Sequence, residues 1–207
     1  MKSNKYIYWA FKKILPLNFC DDVIKYAYSL GEVKKGQTLG SIEDHTVFKK
    51  RNNKKLNKQR DSNIIWLDDL WIHKELNDVA NVANSEANWH LQWHCGEFIQ
   101  FTEYGINQHY EWHQDRAVEP KNTGGRLDGT NRKLSLTVSL SDPKDYEGGI
   151  LEFCTIEHGK LKIYKCTDIL EKGSVCVFPS DIWHRVTPVT KGKRLSLVKW
   201  LSGNPLQ

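Results

Sequence analysis

The 207-residue chain has no uninterrupted run of about 18 apolar residues, which excludes an ordinary membrane-spanning helix. Its first residues, MKSNKYIYWAFKK, lack an apolar segment followed by a small-residue cleavage site, so the expectation is a soluble, cytoplasmic protein. No Cys-x-x-Cys pair occurs. Cys20, Cys95, Cys154, Cys166 and Cys176 are odd in number and widely scattered, which argues against a zinc knuckle or a redox motif and for reduced thiols. Internal repeats and compositional linkers are missing too, so nothing divides the chain. Acidic residues are absent between Lys49 and Arg60, where KKRNNKKLNKQR carries seven of the 30 basic residues; the net charge of +5 is therefore local. Such a run is read first as a solvated loop and second as a patch for an anionic partner.

With 39% hydrophobic residues and eight Trp, the chain can bury one substantial core, and the reading is a single domain over residues 1–207. Residues 5–15 suggest a strand. Asn18 before FCDDVIKYAYSL, with Gly31 after it, reads as a capped helix. Ile64 to Leu67 fits a short strand or the start of a helix. From Asp68 to Asn88, Leu70, Leu76, Val79, Ala80, Val82, Ala83 and Ala87 recur at three- and four-residue spacings, which predicts an amphipathic helix. From residue 95 the texture changes to eight short β-type runs: EFIQFTEY, NQHYEWHQD, RKLSLTVSL, GGILEFC, KLKIYKC, GSVCVFPS, IWHRVTPV and RLSLVKWL. The fold class that follows is α+β, mainly β. A double-stranded β-helix, or jelly roll, forms the core over residues 95–203, with helical support and the basic loop over 1–94. The Gly-, Asn- and Asp-rich interruption AVEPKNTGGRLDGTN, residues 117–131, is long enough to be read as a functional lid.

The chemistry-bearing pattern is His-x-[Asp/Glu]. On a strand, side chains two apart point the same way, so such a pair supplies two ligands to one metal ion. Three matches occur, His73/Glu75, His109/Glu111 and His113/Asp115, against about one expected by chance. His73/Glu75 falls in the predicted helix, where residues two apart face different ways, and is set aside. The other two pairs lie on one predicted strand and on one face of it. Spacing leaves both open.

Three longer segments carry a resemblance. Tyr104 to Asp115, Y-G-I-N-Q-H-Y-E-W-H-Q-D, is similar to the iron-binding strand of prolyl 4-hydroxylases, which are iron(II)- and 2-oxoglutarate-dependent dioxygenases. Residues 173–200, G-S-V-C-V-F-P-S-D-I-W-H-R-V-T-P-V-T-K-G-K-R-L-S-L-V-K-W, resemble the closing strands of that family. Leu140 to Phe153, L-S-D-P-K-D-Y-E-G-G-I-L-E-F, resembles its Gly-Gly hairpin. Together they run in order from about Glu97 to Leu201, and the type is that of bacterial and phage members. The resemblance implies His113, Asp115 and His184 as metal ligands and catalytic centre, with His109 and Glu111 lining or supporting the site. It implies Arg194 and Tyr104 on the C5 carboxylate of 2-oxoglutarate, a buried charge that needs a partner. Leu151 stands where some relatives carry a polar residue, and Thr137 or Ser139 on the neighbouring strand is the candidate replacement.

The cofactors implied by the resemblance are Fe(II), 2-oxoglutarate as co-substrate and O2, with ascorbate as an auxiliary reductant. The substrate is expected to be a prolyl residue in a peptide or protein, with Arg132, Tyr110 and Trp200 on the substrate side. Hydroxylation of a free amino acid or other small metabolite is the first alternative. Demethylation of nucleic acid rests only on the basic run, and a non-catalytic jelly-roll binding module stands as the non-enzyme reading.

Overall fold

A computed structural model describes residues 6–31, 34–36, 59–122 and 124–205. Residues 49–58 of the basic run lie outside the described residues; Arg60 lies within them. The N-terminal elements are β1 (Trp9–Phe11), α1 (Leu17–Ser29), β2 (Lys34–Lys35), β3 (Arg60–Asp61), β4 (Asn63–Leu67) and α2 (Leu70–Glu86). There follow β5 (Cys95–Gly96), β6 (Ile99–Tyr104), β7 (His109–His113), β8 (Asn131–Ser139), β9 (Tyr146–Gly148), β10 (Leu151–Glu157) and β11 (Lys160–Lys165). A 3-10 turn at Thr167–Ile169 leads to β12 (Val175–Pro179), β13 (Trp183–Val186), β14 (Val189–Gly192) and β15 (Arg194–Gly203).

All eight predicted β runs form strands. They are assembled with N-terminal strands into a larger sheet, β1-β12-β8-β15-β6-β4-β2 with β5 on β15, and a smaller one, β11-β10-β13-β7-β3. Every ladder is antiparallel, and the two sheets make the jelly roll. Residues 1–94 do more than support it: β4 pairs with β6 in the larger sheet, and β3 adds to β7 in the smaller. The long N-terminal strand is cut to the three residues of β1. Asn18 does not cap α1, whose N-cap is Pro16 with no side-chain hydrogen bond; Gly31 does follow the helix end, at φ +126°.

Three layers result. Helix α2 buries Ile72, Leu76, Ala80 and Ala83, a stripe at helical spacing whose small alanines allow close approach to β8 and β12. Leu70 and Val82 face solvent instead. Period-2 alternation turns Leu134, Leu136, Val138, Val175, Val177, Leu197 and Leu201 of the larger sheet toward the helices. The opposite face of that sheet meets the smaller one through a second apolar cluster, which includes Tyr104, Phe153, Phe178 and Val186. Between them the sheets also bury hydroxyls: Ser135, Thr137 and Ser139 of β8, Ser196 of β15 and Thr102 of β6. No helix among the described residues is long and apolar enough to cross a membrane.

Candidate metal centre

His113 ends β7 and stands directly opposite His184 of β13, the two ring centroids 4.1 Å apart. Asp115 follows two residues on; its backbone N–H and that of Arg116 donate to Ser180 O, both at 2.9 Å, which fixes the chain as it leaves the strand. One ligand atom from each of His113, Asp115 and His184 lies within 4.8 Å of the others, and all three residues are buried. Each imidazole contacts a backbone carbonyl through Nδ1, His113 to Glu111 O at 2.7 Å and His184 to Ile182 O at 2.9 Å. A carbonyl only accepts, so Nδ1 carries the proton and Nε2 turns its lone pair inward. Those Nε2 atoms lie 3.7 and 3.5 Å from the Asp115 carboxylate.

Burial, reinforced by the neighbouring His184, pushes His113 down to about 3. Burial would raise Asp115, but His184, His113 and Arg132 outweigh it and hold the carboxyl at about 2. At neutral pH His113 is thus neutral and Asp115 ionised, and the negative charge buried between the two imidazoles is one that a divalent cation neutralises. Two His and one carboxylate on one side of the ion leave coordination positions open, the donor chemistry suited to non-haem iron(II).

The expectation that His109 and Glu111 share the face of His113 is corrected by a β-bulge. His184 pairs with His113 and Val186 with Tyr110, so Glu111 and Trp112 together oppose Arg185. The extra residue reverses the alternation. Tyr110 now lies on the His113 side, its ring stacked on the imidazole at 3.5 Å, and His109 turns to the other face, 3.8 Å from a half-exposed Glu111.

Arg194 opens β15 opposite Tyr104 of β6, and its guanidinium carbon sits 5.6 Å from the Tyr104 ring centroid. It is 4% exposed. Its Nη1 donates to Ser196 Oγ at 3.2 Å, and no acid among the described residues pairs with it. Ser139, in register with Ser196, carries a buried Oγ with no hydrogen-bond partner among the described residues. A buried cation beside an orphaned hydroxyl fits a carboxylate-bearing ligand. The Gly-Gly hairpin serves this arrangement, since a Cβ on Gly149, at φ +59°, would stand 2.8 Å from Arg194 Cδ. Leu151, expected to lack a polar function, is buried and apolar.

Arg132 has partners other than the substrate chain expected of it. Its Nε and Nη2 donate to the two carboxylate oxygens of Glu97, both at 2.7 Å; its Nη1 is 4.0 Å from Asp115, and its guanidinium carbon is 3.9 Å from the Trp200 ring centroid. Lys121 Nζ, from the predicted lid, also reaches Glu97 at 2.5 Å. Around it, Gly129 N–H donates to Lys121 O and Lys121 N–H to Thr130 O, so this loop has pairing of its own. Sequence reasoning missed Glu97 and Arg60. Glu97 carries no local signal, since its partners lie 24 and 35 residues away; Arg60 was hidden in a run read as solvated. An apolar groove of about 520 Å³ lies elsewhere, on the outer face of the smaller sheet between Trp112, Ile156, Leu161 and Trp183.

A jelly roll with a buried His/Asp/His cluster beside a buried Arg/Tyr pair defines a facial-triad metalloprotein. The family comparison agrees: residues 99–202, half of the chain, match the 2OG-Fe(II) oxygenase superfamily, and the chain belongs to it. A PKHD-type hydroxylase of Alteromonas mediterranea is 38% identical over 101 residues, 49% of this chain and 41% of that protein. One from Gloeothece citriformis is 40% identical over 105 residues, 50% and 41% of the two chains. The match thus spans about two fifths of the length of these relatives. Among solved structures, a Trichoplax adhaerens prolyl hydroxylase in complex with a hypoxia inducible factor oxygen degradation domain peptide fragment superposes with a TM-score of 0.64 at 17% identity, covering 96% of this chain and 84% of its own. A viral collagen prolyl hydroxylase from Paramecium Bursaria Chlorella virus-1, in a 2OG complex, gives 0.63 at 17% identity, covering 98% and 99%. These likenesses bear on the fold.

Proposed function

We propose that the chain is an Fe(II)- and 2-oxoglutarate-dependent hydroxylase acting on prolyl residues of a peptide or protein. The observation that carries this reading is the buried His113/Asp115/His184 cluster set beside Arg194, a buried guanidinium with no acid partner among the described residues. In this reading the two Nε2 atoms and the Asp115 carboxylate hold the metal. Arg194 and the Tyr104 phenol hold the C5 carboxylate of 2-oxoglutarate, with Ser139 Oγ donating to the same group. The chemistry that iron(II) supplies there is the coupling of 2-oxoglutarate decarboxylation by O2 to hydroxylation of a substrate C–H bond.

The protein contributes geometry and exclusion of water. Backbone carbonyls fix the tautomer of both imidazoles. Arg132, clamped by Glu97 and stacked on Trp200, keeps a positive charge near Asp115 and favours its ionised form. The prolyl specificity draws support from the PKHD-type relatives and from the fold shared with prolyl hydroxylases. The test is mass spectrometry of proline-containing peptides incubated with the protein, iron(II), ascorbate and 2-oxoglutarate. A gain of about 16 Da on proline, the mass of one inserted oxygen atom, is expected with succinate formed alongside. Succinate formation stimulated only by free amino acids or nucleotides would overturn the prolyl assignment.

A further inference from the structure

Glu97 accepts from two cations where one would satisfy it. The Arg132 fork covers both carboxylate oxygens, Nε donating to Oε1 and Nη2 to Oε2, each at 2.7 Å. Ser202 Oγ adds a hydrogen bond to Oε1 at 3.2 Å. Lys121 Nζ nevertheless reaches the same Oε1 at 2.5 Å, from a side chain only 13% exposed. Burying a further ammonium against a carboxylate that already holds a guanidinium costs desolvation and side-chain entropy. Two backbone hydrogen bonds place it there, Lys121 N–H to Thr130 O at 3.0 Å and Gly129 N–H to Lys121 O at 2.9 Å.

Burial would raise the Glu97 carboxyl, but Arg132 and Lys121 outweigh it and hold it below its ordinary value, so at neutral pH it is ionised. A carboxylate at 2.5 Å in turn favours the charged form of the ammonium. Two positive charges thus meet one negative charge. The surplus of one reaches the metal ligands through Arg132, whose Nη1 lies 4.0 Å from Asp115 Oδ1. Among the described residues, neither cation pairs with an acid other than Glu97 and Asp115. A surplus positive charge beside a metal opposes every further charge placed on that metal, so it acts more strongly on iron(III) than on iron(II). Without Lys121, Glu97 and Arg132 would form a neutral pair and that opposition would largely vanish.

We propose that Lys121 is a positioning residue of the metal centre: by sharing Glu97 it leaves Arg132 with a net positive charge beside Asp115, which favours iron(II) over iron(III). This rests on the proposed use of His113, Asp115 and His184 as iron ligands. Lys121 acts only through Glu97 and Arg132, and it makes the segment between β7 and β8 a determinant of the state of the iron.

Two measurements on the full chain test this. Calorimetric titration of the metal-free protein with Mn(II) should show Lys121→Met binding the ion about threefold to thirtyfold more tightly than the wild type, since one positive charge has left its surroundings. The gain should persist at an ionic strength of about 0.5 M, because buried charges are screened little. Lys121→Arg, which keeps the charge, should bind Mn(II) as the wild type does. So should Arg126→Met, which removes an exposed charge from the same segment. Anaerobic potentiometric titration of the iron-loaded protein should place the Fe(III)/Fe(II) midpoint of Lys121→Met below that of the wild type, with Lys121→Arg restoring it. An unchanged Mn(II) affinity or an unchanged midpoint in Lys121→Met would overturn the inference. Weaker Mn(II) binding would overturn it by making Lys121 a structural support, and an equal gain in Arg126→Met would do so by assigning the effect to the surface field. Failure of the wild type to bind Mn(II) would instead remove the metal-site reading itself, and the inference with it.

Discussion

Strand β8 turns Leu134, Leu136 and Val138 toward the helices and Ser135, Thr137 and Ser139 toward the smaller sheet, and all six are buried. Strand β15 repeats the contrast, with Leu197 and Leu201 on one side and Arg194 and Ser196 on the other. Equal burial therefore has two meanings here. On the helix side it is packing, apolar atom against apolar atom, and its return is stability. On the inner side it is enclosure: small hydroxyls and a guanidinium are shielded by the opposite sheet, and polar groups kept dry are costly until a ligand satisfies them. Lys199 breaks the rule. It lies between Leu197 and Leu201 on the helix side, fully buried, with Nζ 2.7 Å from His73 Nδ1.

The largest effects belong to the inner face. His113→Ala, Asp115→Ala or His184→Ala should each reduce bound iron(II) from one per chain to none after dialysis, measured by metal analysis, while circular dichroism stays that of the folded protein. Retained iron in all three would break the assignment of the cluster. On the outer face, Leu136→Ala or Leu197→Ala should cost about 2–5 kcal/mol in denaturant unfolding, because each leaves a cavity under the helices. The surviving folded protein should bind 2-oxoglutarate normally; a loss of affinity comparable to that in Arg194→Ala would show that the two faces are not independent.

Lys199 sharpens the contrast in the opposite direction. Burial lowers its pKa from the ordinary 10.5 to about 8. Between those values the unfolded chain keeps a proton that the folded chain has shed, so the penalty is fully present below about pH 8 and stability rises toward pH 10.5. Lys199→Met should stabilise the protein at pH 7 by up to about 3 kcal/mol and flatten that rise, both read from urea midpoints across the pH range. The smallest effect is expected for Ser139→Ala. Removing a hydroxyl that has no partner should change stability by less than about 1 kcal/mol while weakening 2-oxoglutarate a few-fold.

Much of the site was legible because it is carried by local patterns. The spacing of His113 and Asp115, the Gly-Gly hairpin, and Arg194 ten residues after His184 survive in any fold that keeps those strands. The polar inner face of β8 follows the alternation of RKLSLTVSL, where Ser135, Thr137 and Ser139 occupy every second position of a strand too apolar to lie on a surface. Glu97 was illegible: its contacts with Arg132 and Lys121 are non-local, and a single acid before a strand has no pattern to betray it.

By itself, then, the sequence determined the eight strands, the helical stripes and the order of the metal-site motifs, since propensity and periodicity act over a few residues. Only the tertiary structure decided which side chains meet. The bulge at Glu111 and Trp112, a property of pairing with β13, put Tyr110 in the place that alternation would have assigned to Glu111. The addition of β3 to β7 carried Arg60 out of a run that reads as solvated and buried it over the Tyr110 ring, and Glu97 took up the guanidinium of Arg132. Register and strand neighbours are set by contacts between distant segments, and those contacts choose which charges end up buried together.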